Sequence, residues 1–318
     1  MSVDLSIATA QNTGGAGNDQ LVNIEGLFGS SFDDTLKAPS ANAYLSAGAG
    51  NDTVVSGAGS DYLDGGSGFD LVSYRTATSA VTVDLSITTT QNTGGGGNDT
   101  LVGFEAIYGS DYGDTLKGDS VHSVYLAGFD GNDTLFSGAG DDTLFGGTGF
   151  NFVSYATAGS GVTVDLSITA SQNTGGAGTD TLANFQGVFG SSFNDVLKAS
   201  GYNSYLSGGA GNDTLVGSGN DDALVGGTGN DTMTGGVGAD TFYFTKGDGQ
   251  DTITDFVAGD AGGDIVDLTG YGISNFSQLQ PLLTQSGADT VLQLSAQDQI
   301  LFKNVTASSL NSGDFLIR

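Results

Sequence analysis

The sequence predicts an all-β fold: a right-handed parallel β-roll (a β-solenoid) of glycine-rich nonapeptides, closed by a β-sandwich-like C-terminal cap. Three observations lead to this prediction. Gly supplies 55 of 318 residues, Asp outnumbers Glu by 34 to 2, and the pattern G-G-x-G-x-D-x-(apolar)-x recurs along the chain. Asp and Gly belong to turns and caps, whereas Glu is a good helix former, so this composition argues against a helical bundle.

Each nonapeptide is expected to form a tight turn followed by a short strand. Its Gly-rich part allows the positive φ angles of the turn, and the x-apolar-x end offers one inward side chain. Two nonapeptides make one coil, so like turns lie above each other every 18 residues, about 4.8 Å apart. The clearest run is 208–243, in which Asp213, Asp222, Asp231 and Asp240 stand nine residues apart.

A longer repeat of about 81 residues organises the chain, because VDLSI begins at 3, 83 and 164 and is followed each time by QNTGG. We expect cassettes over 1–81, 82–162 and 163–243, and a cap with an export region over 244–318. The first cassette begins part-way through its unit, as in an excised segment or a short product of a repeat-rich gene. After Tyr243 an alternating stretch predicts antiparallel strands that cover the end of the roll.

The net charge of −29 excludes several function classes. Nucleic-acid binding needs a positive footprint, and an anionic membrane surface would repel this chain. No apolar stretch approaches the roughly 18 residues of a membrane span, so no membrane insertion is expected. The chain has no Cys for disulfides or thiolate metal sites, and its first residues lack the pattern of a cleavable signal peptide.

Stacking brings carboxylates together, with Asp213 over Asp231 and with Asp34, Asp52 and Asp70 in one column. Such columns are repulsive unless a cation fills them. Ca²⁺ takes six to eight carboxylate and carbonyl oxygens at about 2.3–2.6 Å, whereas Mg²⁺ demands tighter octahedral geometry. The sequence therefore predicts multiple Ca²⁺ ions in the turns.

The predicted ligands are position-six side chains and the carbonyl-bearing glycines of the turns. The side chains in the main runs are Asp34, Asp52, Asp61, Asp70, Asp114, Asp133, Asp142, Asn151, Asp195, Asp213, Asp222, Asp231 and Asp240. Three further copies are out of phase and contribute Asp19, Asp99 and Asp180. The glycines are Gly48, Gly50, Gly57, Gly59, Gly66, Gly68, Gly131, Gly138, Gly140, Gly147, Gly149, Gly209, Gly211, Gly227, Gly229, Gly236 and Gly238.

These tandem nonapeptides resemble the RTX, or haemolysin-type calcium-binding repeat, family. The resemblance covers roughly half of the chain. It implies a parallel β-roll with Ca²⁺ in the turns and export by type I secretion machinery through an uncleaved C-terminal signal. The ending DFLIR (314–318) looks like that signal, although Arg318 is less usual there.

Some positions depart from the repeat. Asn151 stands where Asp70 stands in the first cassette, and position six is Ala43, Val124 or Ser204 in one nonapeptide of each cassette. Each roll is therefore expected to have a turn without a full site. Gln186 also replaces the Glu found at 25 and 105, which would remove a ligand if that Glu binds calcium.

No catalytic residues are predicted, and the chain is not expected to be an enzyme. It lacks H-E-x-x-H and G-x-S-x-G motifs, and its single His, His122, is expected in a surface loop. Phe28, Tyr108 and Phe189 recur in register and are interpreted as core side chains rather than a carbohydrate platform.

The expected function is Ca²⁺ binding coupled to folding outside the cell, in a secreted or cell-surface protein. One alternative is a structural or surface protein with a cell-surface or matrix partner. The other is the non-catalytic C-terminal part of a secreted protease, lipase or polysaccharide-modifying enzyme.

Overall fold

The computed structural model describes residues 1–259 and 262–317, and these are almost entirely strand and turn. Their helical elements are one short helix, α1 (Phe276–Leu279), and four 3₁₀ turns, Thr269–Tyr271, Gln280–Leu282, Ala307–Ser309 and Ser312–Asp314. Within the described ranges, no helix is long and apolar enough to cross a membrane. The predicted all-β class is confirmed, while Arg318 in the expected export signal lies outside the described residues.

The strands are short, and most have three or six residues. In the first half of the chain they are β1 (Ser2–Asp4), β2 (Gln11–Asn12), β3 (Asn18–Asp19), β4 (Gly26–Phe28), β5 (Thr35–Lys37), β6 (Tyr44–Ala49), β7 (Thr53–Val55), β8 (Tyr62–Ser67), β9 (Leu71–Ser73), β10 (Thr82–Asp84), β11 (Gln91–Gly94), β12 (Gly97–Val102), β13 (Ala106–Tyr108), β14 (Thr115–Lys117), β15 (Tyr125–Asp130), β16 (Thr134–Phe136), β17 (Thr143–Thr148) and β18 (Phe152–Ser154). In the second half they are β19 (Thr163–Asp165), β20 (Gln172–Gly175), β21 (Gly178–Ala183), β22 (Gly187–Phe189), β23 (Val196–Lys198), β24 (Tyr205–Ala210), β25 (Thr214–Val216), β26 (Ala223–Thr228), β27 (Thr232–Thr234), β28 (Thr241–Tyr243), β29 (Gln250–Ile253), β30 (Ile265–Asp267), β31 (Leu283–Ser286), β32 (Asp289–Gln293), β33 (Gln299–Phe302) and β34 (Phe315–Leu316).

The chain forms two compact units, residues 1–153 with 180–184, and the remaining described residues. In the first unit, parallel pairing links β1, β5, β7, β9, β13, β15, β17 and β21 in that order. Strands β4, β6, β8 and β12 form another parallel ladder, as do β10, β14 and β16. This division into two units does not test the boundaries of the three cassettes, which stay a prediction.

The second unit contains two parallel ladders of the same kind. One runs β19, β23, β25, β27, β29 and β33, and the other runs β22, β24, β26, β28, β30 and β34. Both ladders continue past the last nonapeptide, so the cap is built on the roll itself. Strands β31, β32 and β33 pair antiparallel, and they are the antiparallel strands predicted for the cap.

The core consists of one apolar side chain per nonapeptide. Leu36 pairs with Val54, which pairs with Val72, and all three are fully buried. Leu215 and Met233 repeat this arrangement in the second unit. The 18-residue register and the single inward side chain agree with the predicted parallel roll.

Buried aromatic rings close the C-terminal end of the second unit. Phe242 belongs to the last nonapeptide, and its ring centroid lies 6.2 Å from that of Phe256. Phe256 lies 5.1 Å from Phe302, which in turn lies 6.4 Å from Phe315. These rings cover the apolar side chains that the end of a solenoid would otherwise expose.

The interpretation of the recurring aromatic residues as core side chains is wrong. Phe28 is 68% exposed, and Tyr108 and Phe189 are only half-buried. The preceding residues, Ile107 and Val188, are fully buried instead. Neighbouring side chains in a strand face opposite sides, so an inward Ile107 places Tyr108 on the outer surface.

The VDLSI motif and the later Lys of each cassette form one repeated local structure. Lys117 Nζ lies 2.9 Å from Oδ2 of Asp84, and Lys37 makes the same pair with Asp4 at 3.0 Å. The side-chain oxygen of Gln91 accepts from the backbone N–H of Asp84 at 2.9 Å. These contacts anchor the cassette edge and use carboxylates outside the turns.

Candidate metal sites in the stacked turns

The carboxylates at position six of the nonapeptides lie in columns along the turns. In the first unit the backbone N–H of Asp34 donates to Oδ1 of Asp52 at 2.7 Å, and that of Asp52 donates to Asp70 at 2.8 Å. In the second unit Asp213 donates in the same way to Asp231 at 2.8 Å. The stacking predicted from the 18-residue spacing is therefore present, and each Oδ1 is used by the preceding coil.

Six of these carboxylates keep their second oxygen without a hydrogen-bond partner. None of the six residues is more than 2% exposed. A buried acceptor without a donor costs free energy, and more so when it carries charge. We call the six turns that carry them the open turns, and their carboxylates are Asp52, Asp70, Asp133, Asp213, Asp231 and Asp240.

Backbone carbonyls converge on the same place as the unpartnered oxygens. A Cβ added to Gly208 would lie 2.1 Å from Oδ2 of Asp213 and 2.6 Å from the carbonyl oxygen of Gly226, in the next coil. Gly209 and Gly211 adopt left-handed φ angles of 107° and 131°, which favour glycine. Two acceptor oxygens thus meet at this point, and carboxylate and carbonyl oxygens are the ligands that a hard cation prefers.

The electrostatics of the open turns are unfavourable for the bare carboxylates. Burial raises the pKa of Asp133 to about 7, and the nearby charge of Asp114 adds to the increase. Burial likewise raises the pKa of Asp70 to about 6, with contributions from Asp52 and Glu105. A bound cation would lower both pKa values, because it compensates for the solvation lost on burial and offsets the repulsion between neighbouring carboxylates.

The model of the RTX calcium-binding nonapeptide repeat matches this sequence in four copies, at residues 40–72, 125–153, 189–224 and 216–253. These ranges contain all six open turns. The chain carries RTX calcium-binding repeats. The recognition made from the tandem nonapeptides is confirmed.

Two curated relatives match a short part of the chain. Endo-1,3-1,4-beta-glycanase EglC of Rhizobium meliloti (strain 1021) is 35% identical over 75 residues, which are 24% of this chain and 15% of that protein. Endo-1,3-1,4-beta-glycanase ExsH of the same organism is 40% identical over 67 residues, 21% of this chain and 14% of that protein. The chain thus spans a small fraction of the length of these relatives.

Two solved structures are similar to parts of the chain. The extracellular lipase LipA from Serratia marcescens is 24% identical and matches 67% of this chain and 40% of its own, with a TM-score of 0.38. The AlgE6R2 subunit of the Azotobacter vinelandii mannuronan C5-epimerase is 27% identical and matches 40% of this chain and 89% of its own, with a TM-score of 0.34.

Six other turns of the nonapeptide runs hold their carboxylate by hydrogen bonds from the turn itself. In the Asp195 turn, the backbone N–H of Ser191 donates to Oδ2 at 2.5 Å and its hydroxyl to Oδ1 at 2.8 Å. In the Asp142 turn, the Gly138 N–H and the Ser137 hydroxyl both donate to Oδ2 at 2.9 Å. We call these the closed turns, and their carboxylates are Asp34, Asp61, Asp114, Asp142, Asp195 and Asp222.

The out-of-phase copies join the columns by strand pairing. Because β12 pairs with β8, the N–H of Asp61 donates to Oδ1 of Asp99 at 3.0 Å, and Asp142 donates to Asp180 in the same way. Oδ2 of Asp99 accepts from the hydroxyls of Tyr74 and Thr93, both at 3.0 Å. The paired residues are 38 positions apart instead of 18, so the 18-residue period did not predict this register.

The third out-of-phase copy is placed differently in the described coils. Oδ2 of Asp19 accepts from the hydroxyl of Thr13 at 2.6 Å. Thr93 makes the corresponding contact to Asp99 in the second cassette. Asp19 therefore shares the threonine contact of Asp99, but it is only half-buried, whereas Asp99 is fully buried.

Three acidic residues that end the columns were absent from the predicted ligand set. Glu105 accepts from the N–H of Asp70 at 2.8 Å. In the cap, Asp251 accepts from Asp231 at 2.9 Å, and Asp264 accepts from the last open turn at 3.0 Å. The cap residues were missed because loops of the cap lengthen the 18-residue period to 20 and 24 residues.

The nonapeptides without an acidic position six contribute only their backbone. Ala43, Val124 and Ser204 donate their N–H groups to the Asp of the following coil, at 2.7–3.0 Å. These turns have no carboxylate to offer a cation. Within the described residues, no group of three or more His, Asp or Glu side chains is arranged to hold a metal ion.

Proposed function

We propose that this chain is a calcium-dependent RTX module that is unfolded where free Ca²⁺ is scarce and folds as a β-roll outside the cell. The observation that carries the proposal is the set of six buried carboxylate oxygens without donors. Each lies in a glycine turn of the kind that the RTX repeat describes. Oxygen acceptors in this arrangement fit Ca²⁺, for which carboxylates and backbone carbonyls are the usual ligands.

The turn carbonyls and the Oδ2 atoms of the open turns would hold the ions. Bound Ca²⁺ supplies positive charge to these acceptors. The chain supplies the rest: Gly positions let the carbonyls approach, and the backbone N–H of the preceding coil fixes Oδ1. Because the unfolded chain does not assemble this ligand set, binding stabilises the folded state in proportion to the logarithm of calcium concentration. Extracellular calcium modules bind with Kd of ~10⁻⁴–10⁻³ M, so millimolar calcium would fill the turns.

Far-UV circular dichroism of the full chain tests this proposal. In calcium-free buffer we expect a largely disordered spectrum, because unfilled columns of Asp oppose folding. Addition of about 5 mM Ca²⁺ should produce a β spectrum, at the concentration range typical of extracellular modules. The same concentration of Mg²⁺ is the control and should have little effect. Equal β content with EGTA and with Ca²⁺ would contradict the proposal.

We further propose export by type I secretion machinery, with the address in the C-terminal region. The motive is the combination of RTX repeats, which are typical of secreted proteins, with a C-terminal DFLI segment. Co-expression with a type I exporter should release the full chain into the medium, and deletion of residues 314–318 should retain it. Release that is unaffected by the deletion would contradict a signal at this end.

For the role of the module, the similarity to two glycanases favours a non-catalytic part of a secreted polysaccharide-degrading enzyme. A surface protein with a matrix partner is the other candidate. We expect the calcium-loaded chain to show no hydrolysis of a 1,3-1,4-β-linked glycan in a reducing-sugar assay. Hydrolysis by this chain would overturn the non-catalytic role.

A further inference from the structure

The open turns share a backbone conformation that keeps donors away from Oδ2. In the turn of Asp231, Gly227 and Gly229 have left-handed φ angles of 100° and 141°. The preceding strand, β26, runs on to Thr228, so Gly227 lies in the ladder opposite Gly209. The backbone N–H at position two does not donate to the carboxylate, and Oδ2 of Asp231 has no hydrogen-bond partner.

The closed turns have no left-handed residue and bring the same N–H under the carboxylate. In the turn of Asp222, the N–H of Ser218 donates to Oδ2 at 2.6 Å and its hydroxyl donates at 3.0 Å. A cation at this carboxylate would have to displace both donors. Every closed turn has one Ser in its first two positions, at 30, 56, 110, 137, 191 or 218, and none of the six open turns has one there.

Asp70 and Asn151 provide a matched pair, in turns that read GGSGFD and GGTGFN. A Cβ on the first glycine of the Asp70 turn would meet Oδ2 at 3.0 Å and the carbonyl oxygen of Gly103 at 2.1 Å. In the second turn the equivalent Cβ would meet Nδ2 of Asn151 at 2.8 Å and the carbonyl oxygen of Asn184 at 2.3 Å. Two acceptors face each other in the first turn, whereas a donor faces an acceptor in the second.

The contact in the second turn is a hydrogen bond. Nδ2 of Asn151 donates to the carbonyl oxygen of Asn184 at 3.1 Å. The amide thus occupies the place of the unpartnered oxygen and satisfies the carbonyl that faces it. This exchange removes both the negative charge and the unpaired acceptors, which are the two reasons for a cation in the Asp70 turn.

We propose that Ca²⁺ enters the open turns only, and that the closed turns and the Asn151 turn hold their shape through their own donors. Serine in the first two positions marks a calcium-free turn, and the Asn151 amide takes the place of an ion. This inference rests on the proposed calcium-dependent function and assigns the ions to particular turns. It removes Asn151 and half of the predicted Asp ligands of the main runs from the calcium sites.

The test counts Ca²⁺ ions per full chain, by native mass spectrometry and by equilibrium dialysis at saturating calcium. Asp70→Asn should bind one ion fewer than the wild type. Asn151→Asp, which gives its turn the carboxylate of the Asp70 turn while Gln186 stays in the place of Glu105, should bind one more. Asp142→Asn is the matched control in a closed turn and should leave the count unchanged. Circular dichroism in calcium verifies that each variant is folded.

The outcomes separate this inference from the proposed function. If the wild type binds calcium but neither Asp70→Asn nor Asn151→Asp changes the count, the division of the turns is wrong. Loss of an ion in Asp142→Asn would overturn it as well. A wild type that binds no calcium would instead refute the proposed function. Should Asp70→Asn fail to fold, Asn151→Asp decides, because it creates a side chain that the equivalent turn already contains.

Discussion

Asn151 donates a hydrogen bond to the carbonyl oxygen of Asn184 at the position where Asp70, one cassette earlier, leaves a buried oxygen unpaired. Two turns of nearly the same sequence thus reach different electrostatic states through a single atom. The Asn151 amide pairs with the carbonyl oxygen without any ion, whereas the Asp70 carboxylate needs a cation from the solution to compensate its charge. This difference leads directly to the first prediction.

Asp70→Asn should change stability in opposite directions with and without calcium. In calcium-free buffer, where the wild type is largely disordered, it removes a buried charge beside Glu105, so the β content should rise; with saturating calcium it removes a ligand, so the melting temperature should fall. We expect about 1 kcal/mol in each direction, which at saturating calcium is roughly 2–4 °C. Circular dichroism measures both the β content and the thermal unfolding. A lower β content without calcium, or a higher melting temperature with it, would contradict this prediction.

The calcium-free protein should lose stability as pH rises from about 4 to 7. Burial raises the pKa of Asp133 and Asp213 to about 7, whereas unfolded Asp titrates near 3.9. The folded state therefore binds more protons than the unfolded state in this window, and this contribution is complete below pH 4 and lost above 7. Saturating calcium should reverse the slope, because its ligands must be deprotonated.

Circular dichroism between pH 4.5 and 8 checks this prediction. The β content of the calcium-free protein should fall as pH rises, and the melting temperature of the calcium-loaded protein should rise. A calcium-free β content that increases across the range would show that these carboxylates do not carry the predicted penalty.

Gly208→Ala should disrupt one open turn. The new Cβ would lie 2.1 Å from Oδ2 of Asp213 and 2.6 Å from the carbonyl of Gly226, so these oxygens must move apart. We expect a loss of about 1–3 kcal/mol in the calcium-loaded protein, as in other overpacked sites, and a higher calcium midpoint for folding. Gly219→Ala is the control, since nothing lies within 4 Å of its Cβ. Calcium titrations that are the same for both variants would contradict the described geometry.

Phe256→Ala should destabilise the cap in calcium. Phe256 is 5% exposed and its ring lies between those of Phe242 and Phe302. Truncation of such a side chain costs about 3–5 kcal/mol. The control is Phe32→Ala, whose side chain is 75% exposed, and it should stay within about 0.5 kcal/mol. Urea unfolding at fixed calcium measures both, and equal midpoints would exclude a closing role for the ring.

The nine-residue pattern was sufficient to predict the roll because each nonapeptide carries its own turn and its own inward side chain. Leu36, Val54 and Val72 stack as the 18-residue spacing requires. The period could not predict the coils in which loops interrupt it. Asp99 reaches Asp61 through strand pairing across a long loop, and Asp264 reaches Asp240 across 24 residues. Contacts of this kind depend on tertiary packing rather than on the local repeat.

The first two positions of each nonapeptide also contain information that the prediction did not use. All thirteen position-six side chains of the main runs were predicted as ligands, because the nonapeptides were compared at position six alone. The Ser at position one or two determines which donors reach it, as Ser218 does for Asp222. For the outward aromatic residues, the recurrence of Phe28, Tyr108 and Phe189 was mistaken for burial. The alternation of a strand gives the opposite direction, since Ile107 beside Tyr108 is already inside.

The hydrogen bonds along the columns give the roll a direction. In the column of the second unit each position-six N–H donates forward: Asp195 donates to Asp213, Asp213 to Asp231, and Asp231 to Asp251 in the cap. A piece cut from the front of the second unit would leave the later coils with all their acceptors. A piece cut from the back at Tyr243 would leave the N–H of Asp231 without its acceptor. The cap therefore supplies the last acceptor of this column, and the backbone N–H of the last coil before the cap depends on it.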